Sequence, residues 1–397
     1  MESERIINKG QFSRLEQLAI IIYILAEINA DIFANRVVYA CCTLFLLVTL
    51  RMNTSYHARW NMYVKWSILW VSVVALSFLY SVSPSYTKMS IIIVFLRSVI
   101  MYTFLSRIHS ATAIVQIMYL TIFASFVNSV YMLSMVNLAE LGEERLGRGT
   151  IDEHWNANAI GMELTFNVFF IFYLFQNNYV KVKAMRLYLL SCSLLFIFVI
   201  LMTGSRKAFF LLLLPILLYY MIEGKKKSAL NKIVMIITGL FLTYFIIMSI
   251  DPVYNVLGVR LERLFASLGG SIEDGSISSR RALRVMGLRW FEERPLFGYG
   301  MNTFEPMCGQ ATGRYWYSHN NYIEIMVGTG LLGLITYYSF YIWILVKSVK
   351  KRYSEYAVGI ALLLPILLNE VGLVSYKTFI IQFILMLVTA HILLRRA

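Results

Sequence analysis

Apolar runs long enough to cross a bilayer follow one another along nearly the whole chain, separated by short polar stretches. A spanning helix needs roughly 17–25 largely apolar residues. Windows of about that length fall at 13–30, 36–50, 64–82, 89–106, 111–136, 158–176, 186–203, 207–222, 232–250, 320–346, 356–375 and 378–394, the second and eighth being short. The runs are continuous rather than alternating, which suits helices and not barrel strands. The pattern therefore predicts an all-α polytopic membrane protein with about 12 transmembrane helices. Residues 1–250 form a bundle of about nine of them, 251–318 a long polar loop, and 319–397 the last three. No internal repeat is visible, which argues against a transporter built on inverted repeats.

The long loop carries its own helical pattern. Over Val256 to Leu268, helical spacing puts Leu257, Leu261, Leu264, Phe265 and Leu268 on one face, with Arg260 and Arg263 beside it. That is the signature of a helix lying on a membrane surface. After GGSIEDGSISS comes a second candidate, Arg280 to Glu293, with Ser278 or Ser279 as its cap and Pro295 as its stop. Arg280 and Arg284 lie one turn apart on it, while Leu283, Met286 and Trp290 offer an apolar side. The glycines of PLFGYG allow a tight turn next. A helical extracytoplasmic cap is expected.

Composition agrees with the membrane assignment and adds a charge anomaly. Hydrophobic residues make up 59% of the 397 and charged residues 15%, with a mean hydropathy of +0.66, against roughly 25% charged in soluble domains. Much of the net charge of +14 falls in alternate loops: Arg5, Lys9 and Arg14; Arg51 and Arg59; Lys181, Lys183 and Arg186; Lys225, Lys226 and Lys227. Lys347, Lys350, Lys351 and Arg352 continue the series, and Arg395 and Arg396 end it. The bias of Lys and Arg toward cytoplasmic loops then puts both termini inside. Opposite loops are nearly uncharged, or acidic through Glu140, Glu143, Glu144, Asp152 and Glu153. The exception is 251–318, outside by parity yet holding eight arginines between Arg260 and Arg314. Positive charge on the translocated side points to a local use, such as binding a diphosphate.

Other classes fall away. No cleavable signal peptide is evident. Cys41, Cys42 and Cys192 lie inside spans, leaving Cys308 in the outer loop, so no disulfide framework is expected. Zinc spacing, a P-loop and a dinucleotide glycine pattern are all missing, and nothing points to nucleic acid. The first outer loop, NADIFANR, has one aspartate, and Glu273–Asp274 sits in a Gly- and Ser-rich turn. Neither a metal site nor a cofactor is supported.

The candidates for chemistry are few. TGSRK at 203–207 delivers Arg206 at a short outer turn. Its planar donor fork suits phosphate oxygens, and an arginine snorkelling to the interface fits as well. Arg280, Arg281, Arg284 and Arg289 would clamp a diphosphate and stabilise it as a leaving group; a solvated face or an anionic-lipid contact is the alternative. Arg260, Arg263 and Arg294 read as lipid-surface or structural charges. His319, in YWYSHNNY, stands at the mouth of a span, and an imidazole there suits a general base, although histidines at helix starts also cap and pack. Asn156 and Asn158 of DEHWNANAIG suit a sugar or phosphate, or a helix cap. Arg97, mid-span, needs a cavity or a partner, with Glu370 a candidate.

TGSR, then SSR, then PLFGYGMNTF, then SHNNYIEIMVGTGLLG together resemble the O-antigen ligase/polymerase family of bacterial membrane glycosyltransferases, and WNANAIG is similar to its Asn-x-Asn segment. The resemblance implies a GT-C-like fold and a metal-independent, inverting transfer at the outer face of the inner membrane. The donor is a glycan on undecaprenyl diphosphate. By the same resemblance Arg206 and Arg280 bind the donor diphosphate and His319 activates the acceptor hydroxyl. Spacing to Pro295 favours Arg280 over Arg281. Arg281 and Arg284 remain diphosphate candidates, and Asn156, Asn158, Asn320 and Arg97 substrate candidates. A polymerase joins lipid-linked repeats, a ligase moves polysaccharide onto lipid A core, and the motifs do not separate them; the polymerase is preferred. Membrane lipids and a chain-length regulator are the other expected partners, and a flippase is the reading from another class.

Overall fold

In a hydrocarbon surrounding every backbone N–H and C=O must be paired within the chain, and a helix does this segment by segment. The computed structural model describes residues 11–29, 36–52, 60–136, 143, 145–146, 156–223, 237–239, 241, 243–245, 247–268, 275–350 and 357–394, and among them no strand occurs. Arg5, Lys9, Arg59, Lys225, Lys226, Lys227, Lys351, Arg352, Arg395 and Arg396 lie outside the described residues, as do Glu140, Glu144, Asp152, Glu153, Glu273 and Asp274.

The principal helices are α1 (Arg14–Ile28), α2 (Arg36–Arg51), α3 (Met62–Leu76, continued by a 3-10 turn Ser77–Tyr80), α4 (Pro84–Arg107) and α5 (Ala111–Ser134). They continue as α6 (Ala157–Gln176), α7 (Lys183–Met202), α8 (Arg206–Glu223), α9 (Val259–Leu268) and α10 (Gly275–Glu293). Last come α11 (Phe304–Thr312), α12 (Asn321–Lys350), α13 (Ala357–Glu370) and α14 (Phe379–Leu394). Starts follow side-chain chemistry: Ser13 and Glu16 form a capping box on α1, and Asn61 and Ser110 cap α3 and α5.

Among the described residues six helices are both long and apolar enough to cross a membrane, or seven if the bent pair Ile237–Ser249 and Asp251–Ser267 is one span. That is fewer than the twelve windows predicted. The apolar stretches at α1, α2, α13 and α14 form helices of only 14 to 16 residues, short of the ~20 a crossing takes. α8 reaches 18 residues only by including Arg206, Lys207 and Glu223.

By contacts the chain divides into two units that do not follow chain order: residues 1–56 with 108–272, and 57–107 with 273–397. In the first, α1 packs on α2 and α5, and α6 on α7 and α8. In the second, α3 packs on α4 and α12, α4 on α14, and α10 on α12. The expected cap segment 251–318 is shared between the units, α9 in one and α10 and α11 in the other. α9 is led in by a π-helical turn, Tyr254–Gly258, and buries Val256, Leu257 and Leu261. α10 begins at Gly275 rather than at Arg280, because the Ser278 and Ser279 hydroxyls donate back to the Gly275 carbonyl at 3.3 and 2.6 Å instead of capping.

The window 320–346 is also not one continuous helix. Gly330 has φ 63° and ψ −159°, which breaks α12 after its first turns. The backbone groups around the break pair with the PLFGYG turn. Tyr299 N donates to Val327 O (2.8 Å), Gly300 N to Gly328 O (2.9 Å), Leu331 N to Pro295 O (2.8 Å) and Leu332 N to Leu296 O (3.3 Å). Such close approach needs glycine. A Cβ on Gly298 would lie 2.4 Å from Val327 O, and one on Gly330 2.3 Å from the Leu296 carbonyl carbon. Leu283, Tyr299, Phe304, Cys308, Ile323 and Val327 form the core beneath, with Trp290 edge-on to Phe304 at 5.2 Å.

Substituting Gly330→Ala should therefore lower stability by more than the ~1–3 kcal/mol of an unfavourable φ/ψ alone, since the paired turn must also move. Gly275→Ala, with open space around it, should be near neutral. Thermal unfolding of the two purified variants in the same detergent gives the comparison, and equal midpoints would contradict the docking described.

Candidate functional site

In the first unit the candidate chemistry gathers at the TGSR turn between α7 and α8. Gly204 takes φ +55°, and a Cβ there would lie 2.7 Å from Val256 O. Gly161, of WNANAIG, lets α6 approach equally closely: its Cβ would lie 2.6 Å from Ala208 Cβ. Asn156 caps α6, its Oδ1 accepting from Asn158 N at 3.0 Å and Ala159 N at 3.3 Å. Asn158 Oδ1 accepts from Ser205 Oγ at 2.8 Å, so the Asn-x-Asn segment and the TGSR turn are tied together. Arg206 is half-buried, and its Nη1 donates to the Arg260 carbonyl at 3.3 Å. Arg260, expected to be structural, thus holds Arg206 through its backbone.

A further cation belongs to this turn. Arg145 Nε donates to Thr203 O at 2.7 Å, and Leu146 N to Met202 O at 3.0 Å. Sequence gave no warning, because Arg145 sits among acidic neighbours in a loop with no periodicity. Arg145, Arg206 and Arg260 border one turn, a cationic setting suited to an anionic group.

In the second unit the turn before α12 carries His319 at φ +53°, a region a non-glycine residue rarely adopts. The imidazole is half-buried between buried Ser318 and Asn320, and its ring centroid lies 4.0 Å from that of Tyr317. Burial raises the Tyr317 hydroxyl above its ordinary range, and the nearby Arg280 charge opposes the shift. Arg280 therefore faces the segment that carries His319. It is half-buried, whereas Arg281, Arg284 and Arg289 on the same helix are exposed.

Asn320 caps α12, its Oδ1 accepting from Ile323 N at 3.1 Å. Asn321 is fully committed: Nδ2 donates to Tyr338 Oη (3.0 Å), and Oδ1 accepts from Ser375 N (2.9 Å) and Tyr376 N (3.0 Å). Asn302, at φ +66°, accepts from Lys377 Nζ at 3.0 Å and Tyr376 Oη at 3.2 Å. Tyr317, Asn302 and Lys377 are additions that spacing did not single out. Arg97 lies over the Phe379 ring at 5.5 Å, in the contact between α4 and α14. The Glu370 carboxylate, considered as its partner, accepts instead from Tyr338 (2.7 Å), Tyr341 (3.1 Å) and Ser375.

At the other end of α10 an apolar groove of about 590 Å³ opens between the end of α3 and the PLFGYG turn. Leu76, Leu79, Leu296, Phe297 and Leu332 line it, and Arg294, whose guanidinium sits 4.6 Å over the Tyr299 ring, stands at its rim. Its size is that of a small-molecule site, and its lining suits hydrocarbon.

Residues 191–338 match the family described as O-antigen ligase (Wzy_C). The match takes in Arg206, Arg280, Arg281, Arg284, His319 and Asn320, and leaves out Asn156, Asn158 and Arg97. No curated protein matches the chain significantly. The glycine-built turn that presents Arg206 and the turn that carries His319 both lie inside that matched region, on a chain with several helices apolar enough to cross a membrane, and the match supports an O-antigen ligase/polymerase-type family for this segment.

Proposed function

We propose that the protein is a polysaccharide repeat-unit polymerase that transfers a glycan from undecaprenyl diphosphate to a sugar hydroxyl. The observation that carries this is His319, held at φ +53° on a surface turn beside Tyr317 and Arg280. A histidine so placed takes the proton of the acceptor hydroxyl while the oxygen attacks the anomeric carbon from the face opposite the diphosphate. The bond from that carbon to the diphosphate oxygen breaks, the configuration inverts, and undecaprenyl diphosphate departs with the developing charge. By the resemblance of their motifs, Arg206 and Arg280 are the cations assigned to that charge, with Arg281 and Arg284 as further candidates. The groove between α3 and the PLFGYG turn is assigned to the hydrocarbon chain of the donor.

The charge bias of the loops favours cytoplasmic termini and a site on the outer face of the bacterial inner membrane. A ligase that passes the glycan to lipid A core shares the donor chemistry, so the acceptor separates the alternatives. A chain-length regulator would act on the same product.

Purified protein supplied with lipid-linked repeats, with and without lipid A core and with chelator present, should extend the lipid-linked acceptor. His319→Ala should lower kcat by about 10²–10⁴ while the protein still folds, whereas a flippase would tolerate it. Arg206→Ala and Arg280→Ala should impair the reaction more than Arg281→Ala or Arg284→Ala. Full product from both the His319 and Arg206 variants would overturn the assignment. Filling the groove with Leu76→Trp should raise KM for a long-chain donor and leave a short-chain analogue unaffected; equal effects on both would remove the groove from the donor site.

A further inference from the structure

A carboxylate taken out of water must be met by donors or an opposing charge. Glu324 is 1% exposed, in the first turn of α12. Its Oε2 accepts from Ser318 N at 3.2 Å, the amide directly before His319. A glutamate in a first helical turn commonly returns to the N–H of the capping residue. Here the cap is already supplied by Asn320, and Glu324 reaches further back, beyond His319. The Ser318 hydroxyl closes the same turn, donating to Asn320 O at 2.8 Å. Both neighbours of His319 are thus pinned, and the left-handed backbone of His319 lies between the two anchors.

The charge on Glu324 is met from another segment. Lys377 acts on it attractively and Glu305 repulsively. Lys377 is tethered by Asn302 Oδ1, and its loop is fixed to the start of α12 through Asn321.

We propose that Glu324 is the positioning residue of His319, holding the imidazole in its working orientation through the Ser318 amide. Glu324 is too buried to touch substrate, so it acts only through the histidine. The proposal rests on the assignment of His319 as the base, and its test needs a measurement that does not depend on turnover.

The full chain, purified in detergent, is treated with diethyl pyrocarbonate, and the rate of His319 carbethoxylation is read by peptide mass spectrometry with His391 as the internal reference. Glu324→Ala and Glu324→Asp, which remove or retract the acceptor oxygen, should raise the His319 rate several-fold and lower kcat at least tenfold, with donor KM within twofold. Glu324→Gln keeps an oxygen at the same reach and should restore the wild-type rate. A lowered melting temperature with an unchanged His319 rate in Glu324→Asp would make Glu324 an ordinary helix cap and overturn the proposal. If wild-type protein transfers no glycan, the functional assignment fails, and the His319 rates still decide whether Glu324 positions the ring.

Discussion

The second unit depends on backbone hydrogen bonds between the PLFGYG turn and the break in α12. A helix that breaks in an apolar surrounding exposes N–H and C=O groups that cost several kcal/mol each if unmet. Four such bonds, from Tyr299, Gly300, Leu331 and Leu332, meet that demand here. They form only because Gly298 and Gly330 carry no Cβ where the two chains touch. Once docked, the turn holds α10 alongside the first segment of α12, with Ile323 and Val327 against Leu283. Arg280 then lies at the His319 end, and Arg294 with the apolar groove lies at the Gly330 end. The nine residues 321–329 between those ends span about 13 Å at 1.5 Å per residue, so one short helical segment separates the end that carries Arg280 and His319 from a hydrocarbon-lined one.

The first unit solves a similar problem in the same way. Gly161 and Gly204 let α6, the TGSR turn and the lead-in to α9 approach within contact distance, and Asn158 bonds the turn through Ser205. In both units asparagines and serines hold the turns, Asn156, Asn320 and Asn321 by accepting from backbone N–H groups and Asn158 and Asn302 by accepting from side chains. Arg206, Arg280 and His319 are the side chains these frames present. This division of labour is physically sensible, because short polar side chains satisfy turns, whereas arginine offers a long, permanently charged fork for phosphate.

Fold class and motif content were legible in the order of residues, because they rest on local physics. Apolar runs of helical length can only be helices in lipid, and Pro-x-x-Gly-x-Gly or Gly-x-x-Gly marks places where backbone must turn or approach closely. Spacing singled out Arg280 over Arg281, and only the packed helix showed that Arg280 is the half-buried one of the two. The span count was less so, since hydropathy counts apolar residues and does not see where a helix ends. Thus α13 stops at Glu370 after 14 residues, and α12 breaks at a glycine inside an apolar run.

The sequence by itself determined a helical chain rich in membrane-length apolar runs, an unusual basic loop, and the motifs that resemble those of O-antigen ligases and polymerases. Tertiary structure decided which residues serve those motifs. Arg145 bonds the TGSR turn, Glu324 bonds the Ser318 amide just before His319, and Arg97 lies over the Phe379 ring. The physical reason is range. Helix formation and turn chemistry act over a few residues and leave a periodic trace, whereas a hydrogen bond between Asn302 and a lysine 75 positions away in sequence leaves none until the chain is packed.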